Sequence, residues 1–474
     1  MQRFSWKAQA GHMPWFGEVR TALSLSAHLL LGQVALMLMP LMDLFTVGPL
    51  GSAALAAVGL LNSFTALLLL FCFGVMQAIA PLTGAALARA DGRQGARQIL
   101  SQGLLLASVM GLAAAMATQL FAFAVPRLGQ APAVVQALRS YADTLAPALL
   151  PAAWLTAWRV AYPLLGQARL LALTLIACSL LHGLANRLLV HGLGELDGLG
   201  LAGLGWSYLL SYGLAALCFA WQDGRTALAA PAAPAAPPPP DTAAPAWIPR
   251  LLAIGLPIGA VMAIEYTLFT GATLLMGRHG GQALAAHAIA LQWVTLAFIV
   301  PLAMSNTVLT RLSLALGRTD ADEVRRVVGV SCGIALAFHV AIALVYVLTP
   351  APLAGWLLPA GHQDREALLD IATPLLQLAA LLQAFNGMAV VFAAVLRACR
   401  DTRAPLLQVF AGYWIAGLGS AWLLGEVLGP VGIWLGMCLG FGLTIVLLLR
   451  RVRQRLLNLS DIFPQPEVAH AQSR

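Results

Sequence analysis

Charge is scarce in this chain. Only 10% of its 474 residues are Asp, Glu, Lys or Arg, 60% are hydrophobic, and the mean hydropathy is +0.82. A soluble globular domain is not built so apolar, so the composition implies an all-α polytopic membrane protein. The six cysteines form no CxxC pair and fall in apolar stretches, which argues against a disulfide framework and a thiolate metal cluster. No HExxH, GxSxG or GxxxxGK[ST] string occurs, so the sequence offers no zinc protease, serine hydrolase or ATP-binding loop, and no enzyme is expected. The first apolar run is too long for a signal-peptide core and no small-residue cleavage site follows closely, so no cleaved leader is expected.

The chain does contain membrane-length apolar runs. Twelve spans are expected, at 21–47, 53–80, 96–124, 135–161, 168–190, 199–221, 250–276, 283–309, 327–349, 370–396, 405–426 and 430–450. Between the sixth and seventh lies a Pro/Ala-rich stretch that cannot pack a core and reads as a linker. The expected organisation is an N-terminal lobe at 1–222, a linker at 223–248, a C-terminal lobe at 249–451 and a tail at 452–474.

The formal net charge is +8, yet the basic residues sit in short loops rather than on one domain, so nucleic acid is not an expected partner. With twelve spans, 22 of the 27 basic residues fall on one side. Five fall on the other: Arg127, Arg139, Arg187, Arg278 and Arg365. The positive-inside rule then puts both termini and the linker in the cytoplasm, and a multi-pass protein of the plasma (inner) membrane is expected.

The two halves repeat. A shift of 229 residues lays Val47 to Val58 on Met276 to His287, matching Gly48 with Gly277, Gly51 with Gly280 and the Ala-Leu-Ala-Ala runs. The same shift pairs Arg89, Asp91 and Arg97 with Arg318, Asp320 and Arg326. Spans four and ten also share Asp-x-x-x-Pro, at Asp143 and Pro147 and at Asp370 and Pro374. Six spans per half keep one orientation, so two pseudo-symmetric six-helix lobes around a central cavity are expected, the layout of an alternating-access carrier.

The stretch from Leu23 to Val58 organises the rest. It carries Pro40 and, three residues later, a carboxylate at Asp43, inside a span where an acid costs about 2.5 to 3.5 kcal/mol on insertion scales. Proline removes a backbone donor, so a kink is expected beside the acid. The second deep acid is Glu265, in LPIGAVMAIEYTLF. Intramembrane acids are functional by default, so both are read as cation or proton sites. Asn186, Ser207 and Tyr208 are candidates to complete a shell at Asp43, and Na+ at Asp43 and Asn186 is one reading of it. His287 and Gln292 are candidate polar groups of a cavity. His182 and His339 read rather as satisfied interface histidines, and Asn62 as one of several cavity-lining amides.

The strings PLMDLFTVGPLGSAALAAVGL, LLMGRHGGQALAAHAIALQ, LPIGAVMAIE and VLRACRDTRAPLLQVFAGYW occur in order across nearly the whole chain. Together they resemble the NorM-like branch of the multidrug and toxic compound extrusion family. The resemblance implies two six-helix lobes and export of hydrophobic, often cationic drugs in exchange for H+ or Na+, with no cofactor. By motif match, Asp43 takes the N-lobe acid's place, Asn186 that of the amide beside it, and Glu265 that of the C-lobe acid. Asn386 stands where the NorM-like pattern has a further acid. An amide offers one coordinating oxygen but holds no proton. Partners implied are small-molecule drugs or organic cations and membrane lipids, and a monomer is expected. The alternative is a flippase for a lipid-linked precursor. That cargo calls for cavity arginines to hold a pyrophosphate, and the deep spans carry few.

Overall fold

Hydrocarbon leaves no partner for an unpaired backbone N–H or C=O, so long apolar runs close their own hydrogen bonds as helices. The structure, a computed structural model, describes residues 15–89, 92–193, 196–228, 247–358 and 364–459. Apart from a two-residue hairpin, Gly192–Leu193 with Leu196–Asp197, it is helical. The helices are α1 (Trp15–Val47), α2 (Ser52–Met76), α3 (Ile79–Leu87), α4 (Gly92–Ala124), α5 (Pro132–Leu145), α6 (Leu149–Leu164), α7 (Ala168–His191) and α8 (Leu201–Leu228). They continue with α9 (Trp247–Gly277), α10 (Gly281–Gly317), α11 (Ala321–Leu348), α12 (Pro350–Trp356), α13 (Arg365–Ala398), α14 (Arg403–Val409), α15 (Gly419–Leu428) and α16 (Pro430–Leu457). A π-helical stretch, Phe410–Leu418, joins α14 to α15. Most of the Pro/Ala linker and the end of the tail lie outside the described residues.

Eleven helical stretches among the described residues are long and apolar enough to cross a membrane. The remaining expected span, 135–161, is built in two pieces. A 3-10 turn at Ala146–Ala148 carrying Pro147 separates the 14 residues of α5 from the 16 of α6. Proline cannot donate to the helical ladder, which accounts for the break. Pro374, its counterpart in the repeat, lies inside an unbroken α13.

The internal repeat is visible in the backbone. Gly51 before α2 has φ 99° and ψ 171°, and Gly280 before α10 has φ 97° and ψ 172°. Residues with a Cβ are essentially excluded there, so the same turn requires glycine twice, 229 positions apart.

By contact the chain forms two compact units: Met1–Ser26, Ala80–Ala96 and Ala260–Arg474 in one, Ala27–Ile79 and Arg97–Gly259 in the other. The six-plus-six division read from the repeat concerns chain order rather than contact. In the first unit α13 is the central element, with α10, α11 and α16 packed around it and 72% of its apolar window buried. Close approach needs small residues: a Cβ on Gly440 of α16 would lie 2.5 Å from Gly417 Cα in the π-helical stretch. Also in this unit, Arg311 of α10 donates from Nε and Nη2 to Glu18 of α1 at 3.1 and 2.6 Å. Its Nη2 also lies 3.4 Å from Glu323 of α11. Asp320 caps α11 by accepting from the Glu323 N–H at 2.8 Å. In the second unit α8 packs against α5, α6 and α7, and α2 against α5 and α6.

Candidate ion-coupling site

Asp43 lies four residues before the end of α1 and is fully buried. A buried carboxylate must be matched by donors, and helices α2, α7 and α8 supply them. Asn186 Nδ2 donates to Oδ1 at 3.0 Å, and His182 Nε2 lies 2.7 Å from the same oxygen. Tyr208 Oη donates to Oδ2 at 2.6 Å, and Asn62 Nδ2 reaches it at 3.5 Å. Behind Asn62, Tyr141 of α5 donates to Oδ1 of that amide at 2.8 Å, which turns its nitrogen toward Asp43. His182 and Asn186 are one turn apart, so α7 presents both on one face. The His182 ring also packs 4.2 Å from that of Tyr208. Asp43, His182 and Asn186 have no exposed surface, Tyr208 is buried, and Asn62 is half-buried.

One proton suffices for the contact between Asp43 and His182. It sits on Nε2 opposite a carboxylate, or on Asp43 opposite an unprotonated Nε2. The other groups facing the carboxylate present hydrogens to it.

Glu265, half-buried on α9, belongs to the other unit. The side chain of Asn386 on α13 hydrogen-bonds it, and the charge of Arg397, in the last turn of α13, acts on it. Arg397 is only 7% exposed, although its place in the sequence suggests a loop arginine. Tyr413 of the π-helical stretch lies within reach of both charges. The second acid therefore has an internal cation and an amide as company.

The MatE family model matches residues 29–187 and 257–423. The chain belongs to the MatE family. The MatE chain is 31% identical over 472 residues to a Synechococcus protein named "Probable multidrug resistance protein NorM", covering 96% of this chain and 98% of the relative. A Pseudomonas putida protein of the same name is 32% identical over 439 residues, covering 91% and 93%. Among solved structures, the MATE transporter VcmN of Vibrio cholerae matches with TM-score 0.83 at 18% identity, covering 94% of this chain and 99% of that one. A MATE structure in complex with MaD5 matches with TM-score 0.81 at 16% identity, covering 94% and 97%. At such identities the structures speak for the fold, which agrees with the one the sequence resemblance implies.

In this MatE protein the remaining candidates are spread out. Ser207 turns away from Asp43, donating to the Gly203 carbonyl at 2.9 Å. His287 is buried in the C-terminal half. Trp434 Nε1 donates to its Nδ1 at 3.0 Å, so Nε2 carries the hydrogen and faces Thr273 Oγ1 at 3.0 Å. Both ring nitrogens are thus occupied. Gln292 is exposed on α10, and Pro40 is exposed within an unbroken α1. Residue reasoning gave His182 too little weight, although its one-turn spacing from Asn186 in LLHGLANRLL was a usable signal. Nothing local marked Tyr141, which reaches the site only through Asn62.

Proposed function

We propose that this MatE chain is a secondary active exporter of hydrophobic and cationic compounds, coupled to inward movement of H+, with Asp43 alternating between the proton and the cationic end of the cargo. The observation that carries this reading is the environment of Asp43: hydrogen-bond donors converge on its oxygens, and an imidazole nitrogen lies 2.7 Å away. Sodium needs several oxygen lone pairs turned inward, whereas the amides of Asn62 and Asn186 turn nitrogen to the acid. A proton needs only the two acceptors that face each other. The names of the curated relatives support drug export. The membrane potential favours the exchange, since each inward charge contributes about 2.3 kcal/mol per 100 mV.

In this reading residues 1–222 and 249–451 act as two lobes of an alternating-access carrier in the inner membrane. The linker at 223–248, the tail at 452–474 and both termini are cytoplasmic. The protein works as a monomer among lipids, without cofactor or covalent step. The test is efflux of a fluorescent cation from proteoliposomes under an imposed pH gradient, then an imposed Na+ gradient. Flux that follows pH and ignores Na+ is expected; flux that follows Na+ at constant pH refutes proton coupling.

A further inference from the structure

The last helix has two unlike faces. Met437, Phe441, Thr444, Leu448 and Val452 of α16 are buried, and α13 and α15 pack against this helix. On the other face Leu439, Leu443 and Val446 are exposed at alternating steps of four and three residues, and the same steps continue through Arg450, Arg453 and Leu457. Such spacing keeps the residues in one column. In a spanning helix an exposed apolar column faces acyl chains. From Leu439 to Arg450 this one is eleven residues long, about 16 Å, close to the hydrocarbon depth of a single leaflet, about 15 Å.

The column ends in two cations with nothing to hold. Arg450 and Arg453 are exposed, and among the described residues neither has a hydrogen bond, an ion pair or a ring partner. Their neighbours are tied inward. Arg451 and Arg455 both donate from Nε to Oδ2 of Asp401, at 2.6 and 2.7 Å, and Arg451 Nη1 donates to Gln454 Oε1 at 3.0 Å. Asp401 is buried in the turn between α13 and α14. Two guanidinium groups share this one carboxylate, so the cluster keeps a positive charge beside the open pair. Arg403, exposed at the start of α14, adds a further cation two residues beyond Asp401.

We propose that the exposed face of α16 binds an anionic phospholipid, with an acyl chain along Leu439, Leu443 and Val446 and the phosphate gripped by Arg450 and Arg453. Cβ atoms three residues apart on a helix are about 5 to 6 Å apart, so both guanidinium groups reach one phosphate. A zwitterionic lipid brings its own cation against this pair, and an anionic one does not. The site depends on α16 spanning the membrane and not on the cargo or the coupling ion.

The full chain in neutral detergent is titrated with phosphatidylglycerol and, separately, with phosphatidylcholine of the same acyl chains, and bound lipid is counted by native mass spectrometry. The wild type is expected to hold phosphatidylglycerol about ten-fold or more tightly than phosphatidylcholine, a preference that falls as salt is added. Replacing both cations, Arg450→Gln with Arg453→Gln, should weaken phosphatidylglycerol about five-fold per guanidinium, about 25-fold together, and leave phosphatidylcholine within about three-fold. Arg278→Gln removes an exposed cation paired with Glu426, four residues before the start of α16, and so tests charge at the opposite end of the helix. It should leave both lipids unchanged. The unfolding temperature of the double variant should match the wild type, because neither arginine holds another residue. Undiminished phosphatidylglycerol binding by the double variant overturns the proposal, as does equal loss of both lipids with a lowered unfolding temperature, which would give the pair a structural role. If Arg278→Gln costs as much per charge removed, the preference belongs to net charge and the site falls. If inorganic phosphate displaces phosphatidylglycerol at equal concentration, the pair reads a soluble phosphate and the lipid assignment falls.

Discussion

Replacing Asp43 by Asn separates stability from function, because the two respond to different parts of the same site. Three groups lie within 3.0 Å of the carboxylate, from His182, Asn186 and Tyr208. Hydrogen bonds to a charged group contribute about 1.5 to 3 kcal/mol, and neutral ones about 0.5 to 1.5. Neutralising the acid therefore costs about 1 kcal/mol per bond, about 3 kcal/mol in all. The same change removes the insertion cost of a charge, about 2.5 to 3.5 kcal/mol. The terms nearly cancel, so thermal unfolding in detergent should shift by only a few degrees. Cation binding has no such offset. A unit charge about 4 Å away at an effective dielectric of 20 contributes about 4 kcal/mol, close to three orders of magnitude in affinity. Titration of a cationic dye into nanodiscs, with unfolding measured on the same preparations, checks both halves. A variant that binds the dye as wild type does, or loses binding only because it has unfolded, refutes the reasoning.

Three further outcomes are expected. His182→Leu removes one of the two acceptors that share the proton. Flux driven by a pH gradient should fall by at least ten-fold, about 1.4 kcal/mol, while cationic dye binding at Asp43 stays close to wild type; parallel loss of both would show that the ring only supports the fold. Arg311→Gln leaves the buried Glu18 without its cation, while Glu323 keeps Arg318, and should destabilise the protein by about 3 to 5 kcal/mol, read from chemical unfolding. Gly51→Ala and Gly280→Ala should each cost about 1 to 3 kcal/mol and by similar amounts, since both positions hold the same backbone conformation. Clearly unequal costs would mean that the two turns bear different loads.

The architecture was legible because hydrocarbon imposes a length and a composition on each span, and both are written in the sequence. The register of the repeat was legible for a different reason: Gly51 and Gly280 are fixed by backbone geometry rather than by neighbours. The fourth span was harder, because Pro147 breaks the ladder where Pro374 does not, and context rather than residue type decides between them. Within the site, Asp43 and Asn186 stood out as polar groups in apolar runs. Tyr208 could be nominated for the shell at Asp43 together with Ser207, and Asn62 only as one of a larger set of deep amides. The importance of Tyr141 and the burial of Arg397 depend on which helices meet, and spacing along one helix carries no information about that.

The pocket around Asp43 draws on residues from position 43 to position 208, from five helices. During synthesis, α1 enters the bilayer long before Tyr208 has been made, so its acid is inserted with none of its eventual donors. The remainder of α1 must be apolar enough to carry it in alone, and the pocket closes only when α8 arrives. A ribosome stalled before that point would leave an anchored chain with a bare acid and no Tyr208 to meet it.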